Sequence, residues 1–491
     1  MAGRTDREEP GTPLRCPLVV DLDGTLTPAD TLVESLVAFA RQGPLRAMRL
    51  PLWLLAGRAR LKAAVAARRS ISAQLLPYRQ PLLDYLRAEK AKGRRLVLAT
   101  AAHQSIADGV AAHLGLFDLT LGSTEECNLK GEAKLRAMRE RVGEEFVYAG
   151  DSPADLPIWR AAKAAVLVAV SPRTAEAVRR EVAIEREFPA EGAGPALWLR
   201  ALRVHQWLKN LLLFVPLLTA FSFLELANVV KMAVAFFAFS FAASATYLVN
   251  DMWDVESDRA HPRKRSRPFA SARIPIPRGL AVAGGSLAAG LTLAALVSTQ
   301  FLLMLLVYLV LTSAYSWAWK RYVLIDVLML SLFYTLRILA GSVAIGIVTS
   351  FWLLAFSAFM FLSLALMKRC AELVSLEQSG VAAARGRDYR VTDLVVLWPL
   401  GVGAAVSAVV VFGLFISAPE TKGRYATPQL LWLVAIGLIY WLARLWIKTS
   451  RGQMDDDPVI YAITDRGSRV TVLAVILVIL VAHFVTLRAM V

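Results

Sequence analysis

Cysteine is scarce in this 491-residue chain: Cys16, Cys127 and Cys370 lie far apart, and no two form a CxxC pair. That spacing argues against a disulfide framework and against a cysteine-ligated metal. The opening stretch, MAGRTDREEPGTPLR, has no apolar h-region, so no cleavable signal peptide is expected. Nor do the first two hundred or so residues hold any run long enough to cross a bilayer. What is abundant is apolar residues, 56% of the chain, and they are placed unevenly. Two modules are therefore expected, a mixed soluble one and a membrane one.

From Trp207 onward, apolar stretches of roughly 18–22 residues recur, each able to span a ~30 Å hydrocarbon core. The expected spans are 207–226, 230–249, 279–297, 300–318, 325–346, 350–367, 393–418, 428–446 and 470–489. The net charge of +16 raises nucleic acid as a partner, but the placement of the cations answers that. Lys and Arg crowd the joins after the second, fourth, sixth and eighth spans, while the other joins hold little beyond Lys231, Lys422 and Arg424. The positive-inside rule puts the N-terminus and the even joins in the cytoplasm. No nucleic-acid partner is expected.

Topology does not explain the acids. In NDMWDVESDRAHPRKRSRP, Asp251, Asp254 and Asp258 fall at i, i+3 and i+7. That spacing sets them within about 60° of arc on one helical face. Like charges so stacked repel. A hard divalent ion resolves the conflict, since Mg²⁺ prefers carboxylate oxygens and shares them with a substrate's phosphates.

NDMWDVESD followed by HPRKRSRPFASARI resembles the first acidic signature of the UbiA-type membrane prenyltransferases. The resemblance implies that Asn250, Asp251, Asp254 and Asp258 are the metal–diphosphate residues, with one or two Mg²⁺ ions. The loop after the sixth span, MKRCAELVSLEQSGVAAARGRDYRVTDL, lacks the second acidic pair of the aromatic prenyltransferases. RVHQWLKNLLLFVPL, KRCAEL and GRDYR instead resemble the decaprenyl-phosphate phosphoribosyltransferase branch. There a polyprenyl phosphate is the acceptor and phosphoribosyl pyrophosphate the donor. Two additional phosphates call for more cations, because charge-assisted bidentate contacts hold such groups. The candidates are Lys209, Arg263, Arg267, Lys368, Arg369, Arg387 and Arg390, with Tyr389 beside the ribose. Asp465 could serve a second metal or a ribose hydroxyl, while Asp455, Asp456 and Asp457 read as a solvated acidic loop.

In the soluble half, three short apolar runs end at Asp21, at Thr100 and at Gly150, with helical stretches between them. That is the grammar of an open parallel sheet, whose chemistry gathers beyond the carboxyl ends of the strands. DLDGTLT, LAT, NLKGEAK and GDSPADLP resemble, in order, the four signatures of the haloacid dehalogenase-type phosphatases. The resemblance makes Asp21 the nucleophile and Asp23 the acid and base. Thr100 and Lys130 would hold the phosphoryl oxygens, Lys130 being preferred over its competitor Lys134. One Mg²⁺ would sit on Asp21, Asp151, Asp155 and the backbone carbonyl of Asp23. A basic helical insertion from Asp30 to about Arg79 suits a cap over the site, with the bilayer surface as its other reading.

The expected fold is thus a Rossmann-like α/β domain with a helical cap, then an all-α nine-helix transmembrane bundle. The expected boundaries are a disordered 1–15, a phosphatase over 16–185 with its cap at about 30–80, a linker over 186–202 and a bundle over 203–491. The expected function is phosphoribosyl transfer to a polyprenyl phosphate, followed by removal of the ribose 5-phosphate, at a bacterial inner membrane with both sites cytoplasmic. The product would be a pentose donor for surface glycans. The alternatives are an aromatic or tetrapyrrole prenyltransferase bearing a phosphatase, and a lipid-binding or transport module. A homo-oligomer is compatible with all of these.

Overall fold

The computed structural model describes residues 16–41, 43, 53, 55, 57–66, 71–190, 192, 194–380, 387–454, 458, 461 and 464–486. The expected disordered segment 1–15, much of the expected cap and the Asp455–Asp457 run lie outside the described residues.

Six strands form one sheet: β1 (Leu18–Val20), β2 (Leu96–His103), β3 (Leu119–Ser123), β4 (Val147–Gly150), β5 (Ala164–Val168) and β6 (Ile184–Phe188). Their order is β3-β2-β1-β4-β5-β6, and every pairing is parallel. Helices must then cross over both faces, so the central strands are apolar on both sides. Leu18, Val20, Leu96, Leu98, Val147 and Ala149 join one buried layer. Val19, Val97, Ala99, Tyr148, Ala165 and Leu167 join the other. The period of two along each strand sorts them. Strand β6 runs to Phe188, past the expected boundary at residue 185, because it pairs along β5 as far as Val168.

Between β1 and β2 lie helices α1 (Thr31–Ala40) and α2 (Arg58–Ala66). The Asp30 side chain caps α1 by accepting from the backbone N–H groups of Leu32 and Val33.

Eight helices among the described residues are long and apolar enough to cross a membrane. They are α3 (Leu226–Trp253), α4 (Ile276–Val297), α5 (Thr299–Trp317), α6 (Ile325–Ile345), α7 (Phe351–Gln378), α8 (Leu394–Ser417), α9 (Leu431–Ser450) and α10 (Arg466–Phe484). Leu280, Leu296, Leu303, Val310, Leu473 and Leu477 are exposed along them, as lipid-facing side chains would be. The protein is a multi-pass membrane protein.

The first expected span is not one continuous helix. Its place is taken by a 3₁₀ segment, Val204–Phe214, a short helix, Val215–Thr219, and a 3₁₀ turn, Ser222–Leu224. Arg203 and Phe221 adopt left-handed backbone conformations at the two ends, with φ of 51° and 54°. Side-chain pull contributes too: the Asn210 amide donates to Ser240 Oγ at 3.0 Å and accepts from Arg337 Nε at 3.0 Å. A Cβ at Gly341 would lie 2.0 Å from the Leu213 carbonyl oxygen, so only glycine lets α6 press onto this backbone.

The chain divides into two compact units, Met1–Ala201 with Leu248–Val282, and Leu202–Tyr247 with Ala283–Val491. The acidic segment that ends α3 thus falls in the same unit as the α/β sheet.

Candidate active sites

Asp21 follows β1 directly and Asp151 follows β4 directly, and the parallel pairing of β1 with β4 brings the two together. One oxygen of each of Asp21, Asp151 and Asp155 lies within 4.8 Å of the others. Among the described residues this is the one acid triplet so gathered, and a donor set of three carboxylates fits a hard divalent cation. The turn after β1 depends on Gly24, at φ +80°, where a Cβ would lie 2.2 Å from Asp151 Oδ2.

Lys134, not Lys130, reaches Asp21. Its Nζ lies 2.9 Å from Asp21 Oδ1 and also donates to Tyr148 Oη at 2.7 Å. Lys130 is exposed, whereas Lys134 is buried on the inner side of helix Glu132–Arg141. Lys130, expected to hold the phosphoryl oxygens, precedes that helix, whose first turn turns the later lysine inward. Burial pushes the Asp21 carboxyl above its ordinary range, with Lys134 pulling the other way.

Asp23 is engaged differently. Its two oxygens accept from the Thr31 N–H at 2.9 Å and the Thr31 hydroxyl at 3.1 Å. Burial, then the charge of Asp30, push it up to about 7, so it can hold a proton near neutrality. Burial, then the charge of Asp21, likewise push Asp151 up to about 7. Asp155 accepts from Tyr148 Oη at 2.9 Å and from the N–H groups of Asp151 and Ser152 at 3.3 and 3.2 Å. Thr100 is fully buried in β2, its hydroxyl accepting from Ala102 N–H at 3.0 Å. From the insertion, Lys62 on α2 donates to the Ala101 carbonyl at 2.5 Å and to Asn128 Oδ1 at 2.8 Å.

The second acidic group lies where α3 ends and the short helix Val255–Arg259 begins. Backbone bonds from Asp254 N–H to the Asn250 carbonyl (2.9 Å) and from Asp258 N–H to the Asp254 carbonyl (2.8 Å) carry helical spacing across the break. Asp251 and Asp258 are buried and converge on one guanidinium nitrogen of Arg267, at 3.2 and 2.7 Å. Burial pushes Asp258 up while Arg267 opposes it. One guanidinium facing two buried carboxylates fits a site that takes a further cation. Asp254 has Arg41 3.9 Å away. Arg263 is exposed and Asn250 half-buried.

In the other unit, Asp326 is fully buried at the start of α6. Arg369, 2% exposed, hydrogen-bonds Asp326 through Nε and Nη2 and Glu372 through Nη1. The Tyr315 hydroxyl donates to Asp326 at 2.6 Å, and Arg387 reaches Glu372 at 3.1 Å. Tyr389 is buried, its hydroxyl accepting from Leu324 N–H at 3.1 Å. Arg369 therefore has its donors turned to protein acids. Lys209 and Lys368 are half-buried, and Arg390 is exposed. Midway along α6, Arg337 donates to Asn210, to the Phe333 carbonyl and to Tyr308 Oη, at 3.0, 2.8 and 2.6 Å. Sequence reasoning missed Asp326, Glu372, Tyr315 and Arg337. A lone ion within an apolar run was the available signal for Arg337, because charge inside a membrane demands a partner.

Asp465 is the N-cap of α10, accepting from Ser468 N–H at 2.7 Å. Arg444 at 2.5 Å and Lys448 at 3.2 Å pair with it. These contacts engage its oxygens with a helix end and two basic side chains.

Residues 211–463 match the UbiA prenyltransferase family, and residues 18–160 match haloacid dehalogenase-like hydrolase. An uncharacterized protein of Sinorhizobium fredii, y4nM, is 41% identical over 92% of this chain and 88% of its own length. A decaprenyl-phosphate phosphoribosyltransferase of Corynebacterium glutamicum is 36% identical over 45% of this chain and 69% of its own. Among solved structures, a UbiA homolog from Archaeoglobus fulgidus bound to GPP and Mg²⁺ aligns with a TM-score of 0.44 at 17% identity. It covers 58% of this chain and 99% of that one.

Proposed function

The chain belongs to the UbiA prenyltransferase family and carries a haloacid dehalogenase-like hydrolase domain at its N-terminal end. From that premise we propose that it transfers 5-phosphoribosyl from phosphoribosyl pyrophosphate to a polyprenyl phosphate and then removes the ribose 5-phosphate. The observation that carries the reading is the convergence of buried Asp251 and Asp258 on Arg267 at the end of a membrane helix. Similarity to the corynebacterial phosphoribosyltransferase supports the choice of donor and acceptor.

In the transfer, an oxygen of the lipid phosphate attacks C1 of the ribose, the C1–O bond breaks, and diphosphate departs. Asp251 and Asp258, with Asp254, would hold magnesium, and Arg267 would follow the diphosphate. Arg387 and Lys368 are the candidates for other phosphates. Arg369, held by Asp326 and Glu372, acts as a brace for the loop.

In the hydrolysis, Asp21 attacks the 5-phosphate and forms an aspartyl-phosphate. Asp23 gives its proton to the leaving ribose oxygen, then takes one from the water that cleaves the aspartyl-phosphate. Lys134 and Thr100 steady the phosphoryl oxygens. Asp151 and Asp155, with Asp21, would hold the second magnesium. Bound magnesium supplies charge neutralisation at both centres. Both sites are proposed to face the cytoplasm at a bacterial inner membrane. The lipid-linked pentose would serve surface-glycan synthesis.

The test uses the purified full chain with labelled phosphoribosyl pyrophosphate, Mg²⁺ and polyprenyl phosphate. Label should enter the lipid, and Asp21→Asn should accumulate its 5-phosphorylated form. Prenylation of an aromatic acceptor with no label in the lipid overturns the proposal.

A further inference from the structure

Glu34, on α1, grips Arg259 with both carboxylate oxygens, at 2.7 and 2.6 Å. Both side chains are nearly buried, 10% and 6% exposed, so water does little to weaken the contact. The same guanidinium donates through Nε to the Ala270 carbonyl at 2.7 Å, which fixes the loop that returns from the acidic segment. All these residues belong to one compact unit. Ala272, from that returning loop, is buried in the apolar layer that includes Leu22, Leu26 and Leu76.

We propose that Glu34 and Arg259 are a positioning pair that couples the phosphatase acid Asp23 to the diphosphate-binding acids Asp251 and Asp258. The proposal rests on the functional reading above. At one end, α1 begins with Thr31, which holds both oxygens of Asp23. Glu34 stands three residues on, one turn away on the same side of the helix. At the other end, Arg259 directly follows Asp258 on its short helix. A second, looser contact joins the same elements, from Arg41 just past α1 to Asp254 at 3.9 Å. A shift of the acidic segment on binding diphosphate would thus pull on the helix that orients Asp23. Departure of diphosphate from one site would then set the other for the phosphate it must remove. The pair touches neither substrate and acts through Thr31 and Asp258.

Hydrolysis of p-nitrophenyl phosphate by the full chain reads the phosphatase alone, whatever the lipid acceptor proves to be. Glu34→Gln and Arg259→Gln should each lower its kcat roughly tenfold with KM little changed, the loss expected of a displacement smaller than the 1 Å that can cost about 10²-fold. The charge swap Glu34→Arg with Arg259→Glu should recover most of that loss. Hydrogen exchange supplies a readout apart from turnover. Magnesium diphosphate should slow exchange in residues 31–41 of the unaltered chain and leave it unchanged in Arg259→Gln. Single variants with undiminished kcat overturn the proposal, as does diphosphate-induced protection of 31–41 that persists in Arg259→Gln. Failure of lipid labelling alongside an intact exchange response would count against the transferase reading only.

Discussion

Lys134 Nζ lies 2.9 Å from Asp21 Oδ1, while Lys130, four residues earlier, is exposed. The two lysines stand in one signature, but Lys130 precedes the helix Glu132–Arg141 and Lys134 lies on its inner side. Lys134→Ala should lower phosphatase kcat about 10²–10³-fold, the scale of losing one donor to a developing anionic charge. Lys130→Ala should stay close to the unaltered rate. Steady-state hydrolysis of a small phosphomonoester compares them, and the reverse order of effects would return the role to Lys130.

Gly24 is required twice over, by its φ of +80° and by the Asp151 carboxylate 2.2 Å from where a Cβ would sit. Gly24→Ala should destabilise the α/β domain by about 1–3 kcal/mol, the range for a strained backbone position. It should also raise the magnesium concentration needed for half-maximal hydrolysis, since Asp151 must move. Thermal melting and a magnesium titration read the two effects separately.

Asp258→Asn removes one of the two carboxylates that meet at Arg267. Transfer of labelled phosphoribosyl to the lipid should fall about 10²-fold or more, as expected for a charge acting on the departing diphosphate. Full activity in this variant would end the case for a diphosphate site there.

Asp326 and Arg369 form a fully buried pair. Removing Asp326's charge leaves the buried Arg369 only Glu372 as its acid, at a cost of up to about 3–5 kcal/mol. Asp326→Asn should therefore lower the melting temperature in detergent clearly more than Arg390→Gln, a change at an exposed position.

Asp465→Asn keeps an N-cap of nearly equal quality, since Asn and Asp cap helices about as well as each other. Lipid labelling should persist near its original rate. Abolished transfer would restore a metal or ribose role for this residue.

Much of the architecture was legible because it rests on local pattern. Each of the eight long apolar helices overlaps an expected span, since hydropathy over some twenty residues depends on no distant contact. The exception is instructive. Residues 207–226 are apolar enough to be expected as a span, yet Asn210 bonds to Ser240 and Arg337, and Gly341 admits the Leu213 backbone. Those partners are 30 to 128 positions away.

The chemistry on offer could be read from the chain alone: which carboxylates stand at strand ends, and which acids recur at helical spacing where α3 ends. Their order along the chain suffices because strand ends and helix faces follow from period and spacing alone. Tertiary structure alone decided which cation meets which acid. It chose Lys134 for Asp21, Arg267 for Asp251 and Asp258, Arg369 for Asp326, and Arg259 for Glu34. An ion pair depends on the distance and burial of two groups, and folding sets both, across 9 positions for Arg267 and Asp258 and 225 for Arg259 and Glu34.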